Sequence, residues 1–127
     1  MLLNQKGFSL AEIIVAIFMV LVLFSLAIME VRALEISRTQ RYEDVAYHVA
    51  NKEMESLRAT AFDNLPPSGS ISDTNLSQIP SGLGSFTVSD YSGYSGMKEI
   101  IVTVSWDDGA NKSVVIRTLA GTGGINQ

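Results

Sequence analysis

Lys6-Gly7-Phe8-Ser9-Leu10-Ala11-Glu12, followed by the apolar run Ile13–Met29, decides how this chain is read. Lys6 stands at the polar edge of the run. Gly7 has no side chain, so another backbone can come close there. Between Ile13 and Met29 only Ser25 is polar. Together with Phe8–Leu10 the run has about the length that spans a bilayer core as a helix. Glu12 is the exception. A carboxylate inside such a run costs several kcal/mol unless it reaches the interface or finds a partner.

Two plainer readings compete. A basic residue followed by an apolar stretch also describes a secretory signal peptide, and Val31-Arg32-Ala33 supplies small residues for its removal. Against this, the run exceeds the usual 7–15 residue apolar core of such peptides. It also carries Glu12, and its helical pattern continues past Ala33. The other plain reading is an anchor that is never cut.

Composition narrows the remainder. A chain of 127 residues accommodates one compact domain with an appendage. Without the membrane-length run, fewer than about a hundred residues remain, enough for a small core. The net charge of −4 offers no basic footprint for nucleic acid. There is no cysteine, hence no disulfide and no thiol nucleophile, and redox chemistry does not report the compartment.

From Glu30 to about Phe62 the sequence becomes amphipathic. Tyr42, Val45, Ala46, Val49, Ala50, Met54, Leu57 and Ala61 recur at spacings of three and four, one face of a helix. Arg38, Arg41, Asp44, Asn51, Lys52 and Glu55 take the other face. No Gly or Pro interrupts residues 8–64. The pattern predicts one helix from about Ser9 to Thr60, roughly 75–80 Å long at 1.5 Å per residue.

Pro66-Pro67-Ser68-Gly69-Ser70 ends it, and Ser72–Gly84 reads as loop. Ile71, Leu76, Ile79 and Leu83 are the residues that would pin this loop to a core. Ser85–Tyr91 alternates, Ser92–Gly96 turns, and Met97–Trp106 is the strongest strand, with Ile100, Val102 and Val104 on one side. Asp107-Asp108-Gly109-Ala110-Asn111 is a hairpin loop, after which Lys112–Leu119 pairs back. The expected fold is α+β: a long N-terminal helix, its first half of membrane-spanning character, packed on a small C-terminal antiparallel sheet of three or four strands.

Gly7-Phe8-Ser9-Leu10-Ala11-Glu12-Ile13-Ile14-Val15-Ala16-Ile17 resembles the class III signal of type IV prepilins and type II secretion pseudopilins. The resemblance implies that a membrane prepilin peptidase cuts between Gly7 and Phe8, with Lys6 as the basic residue of the leader, and that the new amino group of Phe8 is methylated. Cleavage would remove Lys6 and no acid, leaving the mature chain one charge more acidic. The resemblance also implies that Glu12 faces the amino terminus of Phe8 in a neighbouring subunit and sets subunit register. Opposite charges attract strongly in an apolar core, and either one alone is costly to bury. The plainer alternative is that Glu12 snorkels to the headgroups.

On this reading residues 1–7 are the leader, 8–29 the membrane and filament-core helix, and 30–62 its amphipathic continuation. Residues 63–84 are the variable loop, 85–120 the sheet, and 121–127 a glycine-rich tail. Two departures from the family stand out: no proline interrupts the apolar segment, and no C-terminal disulfide loop exists.

Ile101–Trp106 and Val114–Leu119 resemble the C-terminal end of PilV-type minor pilins and I-type minor pseudopilins, with a Val-x-Val-x-Trp strand, a hairpin and a last strand ending in Thr-Leu. The plain alternative is a sheet edge with a buried Trp. The positive-inside rule conflicts with the family's orientation. Lys6 precedes the run, whereas Arg32, Arg38 and Arg41 follow it. The expectation follows the family, with the leader cytoplasmic, the globular part outside the inner membrane, and later a place in a filament.

The expected function is therefore that of a minor pilin or pseudopilin, a structural subunit of a type IV pilus-type filament. Its expected partners are prepilin peptidase, other pilin or pseudopilin subunits, the inner-membrane assembly platform and the lipid bilayer, with no nucleic acid. The alternatives are a type II secretion pseudopilus subunit and a membrane-tethered binding or adhesion module that does not polymerise. No enzymatic activity, cofactor or metal is expected. Asp107, Asp108 and Asn111 are oxygen-rich, but their spacing fits no EF-hand, and Asp-Gly is an ordinary hairpin signal. His48 is the sole histidine and has no clustered partner. Tyr91 and Tyr94 beside glycines could touch a partner or cap the sheet. Ser9, Ser25 and Glu12 form no catalytic set in apolar surroundings.

Overall fold

The computed structural model describes Gly7 and residues 9–123. Lys6 and Phe8, most of the leader and the last four residues of the tail lie outside the described residues. The chain divides into two compact units, Met1–Arg38 and Thr39–Gln127. The fold is α+β: a single α-helix, α1 (Leu10–Ala59), and a four-stranded antiparallel sheet. The strands are β1 (Ser68–Ser70), β2 (Leu83–Asp90), β3 (Met97–Asp107) and β4 (Asn111–Gly121), in the sheet order β1-β2-β3-β4.

In the first unit α1 is a run of strong helix formers and β-branched residues without a glycine or proline. Its side chains are exposed all round, from Leu10 at 77% to Val22 at 39%. A helix apolar on every side has no surface suited to water. It is long and apolar enough to cross a membrane.

In the second unit the same helix is two-faced. Ala46, Val49, Ala50, Met54 and Leu57 are buried, with Tyr42 and Val45 packed beside them. Asp44, His48, Asn51, Lys52 and Glu55 are exposed. The buried face packs on the inner face of the sheet, to which Phe86 and Val88 of β2, Ile100, Val102, Val104 and Trp106 of β3, and Val114 of β4 contribute. Burying each large aliphatic side chain stabilises the fold by about 1.5–3 kcal/mol. Ala46 and Ala50 are 0% exposed, and their small size lets the helix lie close to the strands.

Two sequence expectations shift at the end of the helix. Ala61 was expected on the buried helical face but is exposed, because α1 ends at Ala59. Thr60 closes the last turn, its hydroxyl donating to Ser56 O at 3.0 Å, and Ala61 then turns to extended backbone with ψ 140°. A 3-10 turn at Phe62–Asn64 follows, so residues 60–62 are not α-helix.

The stretch 63–84 holds more structure than a loop reading gave it. Besides the turn at Phe62–Asn64 it contains β1, a second 3-10 turn at Thr74–Gln78 and the start of β2. Strand β1 escapes a periodicity search because Ser-Gly-Ser offers no apolar alternation. It forms because Gly69 pairs with Phe86 and leaves room for that ring; a Cβ on Gly69 would stand 2.7 Å from the Phe86 ring carbons. Leu65, Ile71 and Ile79 are buried and Leu76 packs against the core, whereas Leu83 is 71% exposed. Three of the four expected pins therefore hold and Leu83 does not.

Strands β3 and β4 pair without a bulge from Met97↔Gly121 to Asp107↔Asn111. Their hairpin turns through Gly109 at φ +104°, a conformation side chains rarely adopt. Trp106 closes one end of the core at 4% exposed, with its Nε1–H unpartnered among the described residues. Such a group costs about 1–3 kcal/mol, offset by burial of the large ring.

The alternation of β3 and β2 sets a stability contrast. Ile100→Ala, at a fully buried position, should destabilise the second unit by about 2–5 kcal/mol. Thr87→Ala, on the exposed outer face, should change stability by less than about 0.5 kcal/mol. Urea unfolding followed by Trp106 fluorescence measures both, and equal losses would contradict the assigned faces.

Candidate functional site

The candidate site begins where the helix begins. Ser9 O accepts from Glu12 N–H at 2.9 Å and from Ile13 N–H at 3.2 Å, which makes Ser9 the entry to α1. Gly7 is exposed and has nothing within 4 Å of the position a Cβ would take, so the chain is unobstructed there. Glu12 lies in the first helical turn and is exposed, without an ion-pair partner among the described residues. An acid in the first turn is favoured by the partial positive charge of the free N–H groups, by about 0.3–1 kcal/mol. Ser9-x-x-Glu12 also has the spacing of a capping box, a local signal beside any intersubunit role. Glu12 thus has a physical reason to be at this position even in a single chain.

Beyond Glu12 the apolar side chains of the first unit are exposed and packed against no core among the described residues. Phe24, Ala27, Ile28 and Val31, with Arg32 and Glu35, line a shallow open groove. Ser25, the polar residue of the run, returns its hydroxyl to Val22 O at 2.9 Å, so its donor is satisfied within the helix. What the first unit offers is apolar surface, with one carboxylate near its start.

The second unit places the remaining candidates apart from one another. Asp107 Oδ1 accepts from Gly109 N–H at 3.0 Å, and Asp108 Oδ2 meets Lys112 Nζ at 2.9 Å. Both carboxylates therefore serve the hairpin. Among the described residues no cluster of three or more His, Cys, Asp or Glu could hold a metal. His48 is exposed on the polar face of α1. Tyr91 and Tyr94 stack on each other with ring centroids 6.0 Å apart, exposed in the β2–β3 turn.

Two contacts have no counterpart in the sequence reading. Lys52 on α1 reaches Asp73 Oδ2 at 2.8 Å, and Asp73 Oδ1 accepts from Asn75 N–H at 2.8 Å as the cap of the Thr74–Gln78 turn. One carboxylate thereby holds the loop's turn together and ties it to the helix. The Asp-Thr-Asn spacing was the available signal for the cap; the lysine, 21 residues away, was not readable. Lys98 of β3 lies 4.6 Å from the centre of the Phe62 ring and donates to Phe62 O at 3.2 Å, holding the helix-end turn against the sheet.

The bond from Lys52, then the Asn75 N–H, lowers the Asp73 pKa below its ordinary 3.8, against an opposing effect of burial. A lowered folded pKa stabilises the fold above the unfolded value and loses that contribution as pH falls through the folded value. Asp73→Ala should therefore cost about 1 kcal/mol at neutral pH. The gap to the parent should narrow below pH 3.8. Paired melts at pH 7 and pH 3 test it; a constant gap would mean that the charge of Asp73 contributes nothing.

No protein-family model matches the chain, and no curated protein or solved structure does.

Proposed function

We propose that this chain is a structural subunit of a type IV pilus-type filament, a minor pilin or pseudopilin. It is made with a short leader, cut between Gly7 and Phe8, methylated on Phe8, and packed through its apolar half-helix against like helices. One observation carries the reading. An uninterrupted helix that is apolar on all sides over residues 13–29, with a lone acid in its first turn, continues into a small α+β unit whose core draws on that helix only from Tyr42 onward. Exposed apolar surface on this scale must be covered, first by lipid and then by neighbouring helices.

In the bilayer Glu12 sits near an interface it can reach. In a bundle of such helices it would be desolvated and would need a cation, and the amino terminus freed by cleavage supplies one at the helix start. The mature chain is thereby committed to one register relative to its neighbour. The globular unit offers its outer surfaces to other subunits and carries no expected catalysis.

Co-expression with a prepilin peptidase should reduce the intact mass by that of residues 1–7, apart from any methyl group added. An unchanged mass would instead favour a membrane-tethered module. Glu12→Ala should leave membrane insertion and folding unchanged yet reduce incorporation into purified filaments by tenfold or more, on the order of the 1.4 kcal/mol or greater expected for an ion pair in apolar surroundings. Normal incorporation of that variant would remove the register role.

A further inference from the structure

The two edges of the sheet are unequal. The β1 edge is three residues long and directly follows Pro66 and Pro67. Short strands and prolines are the usual ways of blunting an edge. The β4 edge has neither. It runs eleven residues, and its pairing with β3 is continuous, with no bulge to twist it away. Among the described residues, no other backbone or side chain bonds to its outer edge; the Thr122 N–H to Gly96 O bond lies past the strand. In an antiparallel edge strand about every second residue turns its N–H and C=O outward.

The side chains sharpen this. Val115 and Leu119, on the outer face of β4, are 48% and 38% exposed. Between them Arg117 is exposed and within 4.0 Å of no described carboxylate. Lys112 is already engaged by Asp108, which leaves Arg117 as the charge of β4 without an ion-pair partner among the described residues.

We infer that β4 is a docking edge for an extended segment of a different protein, one that adds a fifth strand, sets apolar side chains beside Val115 and Leu119, and carries an acid opposite Arg117. A second copy of this chain fits less well. Two β4 strands pairing about a two-fold axis centred on the exposed stretch would set Arg117 against Arg117, a like-charge pair across the seam. Head-to-tail pairing of β4 with β1 of another copy avoids that pair but matches eleven residues with three. A foreign strand has neither limit. Backbone bonds supply its affinity, and alternate side chains supply its selectivity.

The test uses the full chain in detergent micelles with two labelled heptapeptides, Thr-Val-Thr-Glu-Thr-Val-Thr and the same peptide with Lys for Glu. Binding of the Glu peptide about tenfold tighter than the Lys peptide is expected, as attraction is exchanged for repulsion across one strand pair. Amide protons in Ser113–Ala120 should gain exchange protection, and Arg117→Glu should reverse the preference. Arg117→Gln, which carries no charge, should abolish the preference without abolishing binding. Absence of binding by either peptide would overturn the proposal, as would a preference unmoved by Arg117→Glu. A doubled particle mass with β4 protected in the absence of peptide would assign the edge to self-pairing instead. None of these readouts depends on leader cleavage, so a failure here and a failure of the subunit reading are separable.

Discussion

The seal between one face of α1 and the inner face of the sheet is the interaction on which the second unit depends. A four-stranded meander with one apolar face needs a second layer to bury that face. The helix supplies the missing layer through Ala46, Val49, Ala50, Met54 and Leu57, and the strands answer with Ile100, Val102 and Val104. No disulfide assists, so packing has to carry the fold. The polar clamps at Lys52–Asp73 and Lys98–Phe62 act at the margins of that seal. Each ties a connecting segment to an element already fixed by the core.

The same helix obeys two solvents. From Thr39 onward its sequence alternates at the helical period, because one side meets protein and the other water. Between Ile13 and Met29 it has no polar side to speak of, and water is the wrong medium for it. A change of pattern within one unbroken helix is a statement about surroundings. Ser25 makes the point on a small scale by satisfying its own hydroxyl within the helix, as a polar group does where no outside partner exists.

Much of this was legible from the residues. The helix, its two characters and the inward residues of β3 follow from periods of 3.6 and 2, which are local properties of the chain. The segment 63–84 was less legible, because Ser68-Gly69-Ser70 carries no pattern and becomes a strand only when Phe86 lies across Gly69. Leu83 looked like a pin by composition, yet it points outward from the first position of β2. Lys52 and Asp73 are too far apart in sequence for either to announce the other. At the candidate site, Gly7 and Glu12 were readable as an unobstructed glycine and an acid in a first turn.

The order of strands along the sheet matches their order along the chain. Each strand therefore finds its neighbour soon after it is made, and contacts between strands stay local. The helix is in the opposite position. Its face at Ala46–Leu57 is complete long before β3 exists to cover it, a lag of roughly 50 residues, or several seconds at ~5–20 residues per second of synthesis. During that interval the nascent chain shows a greasy stripe with nothing to lean on, and shielding it until Met97–Asp107 arrives is the vulnerable moment in the life of this protein.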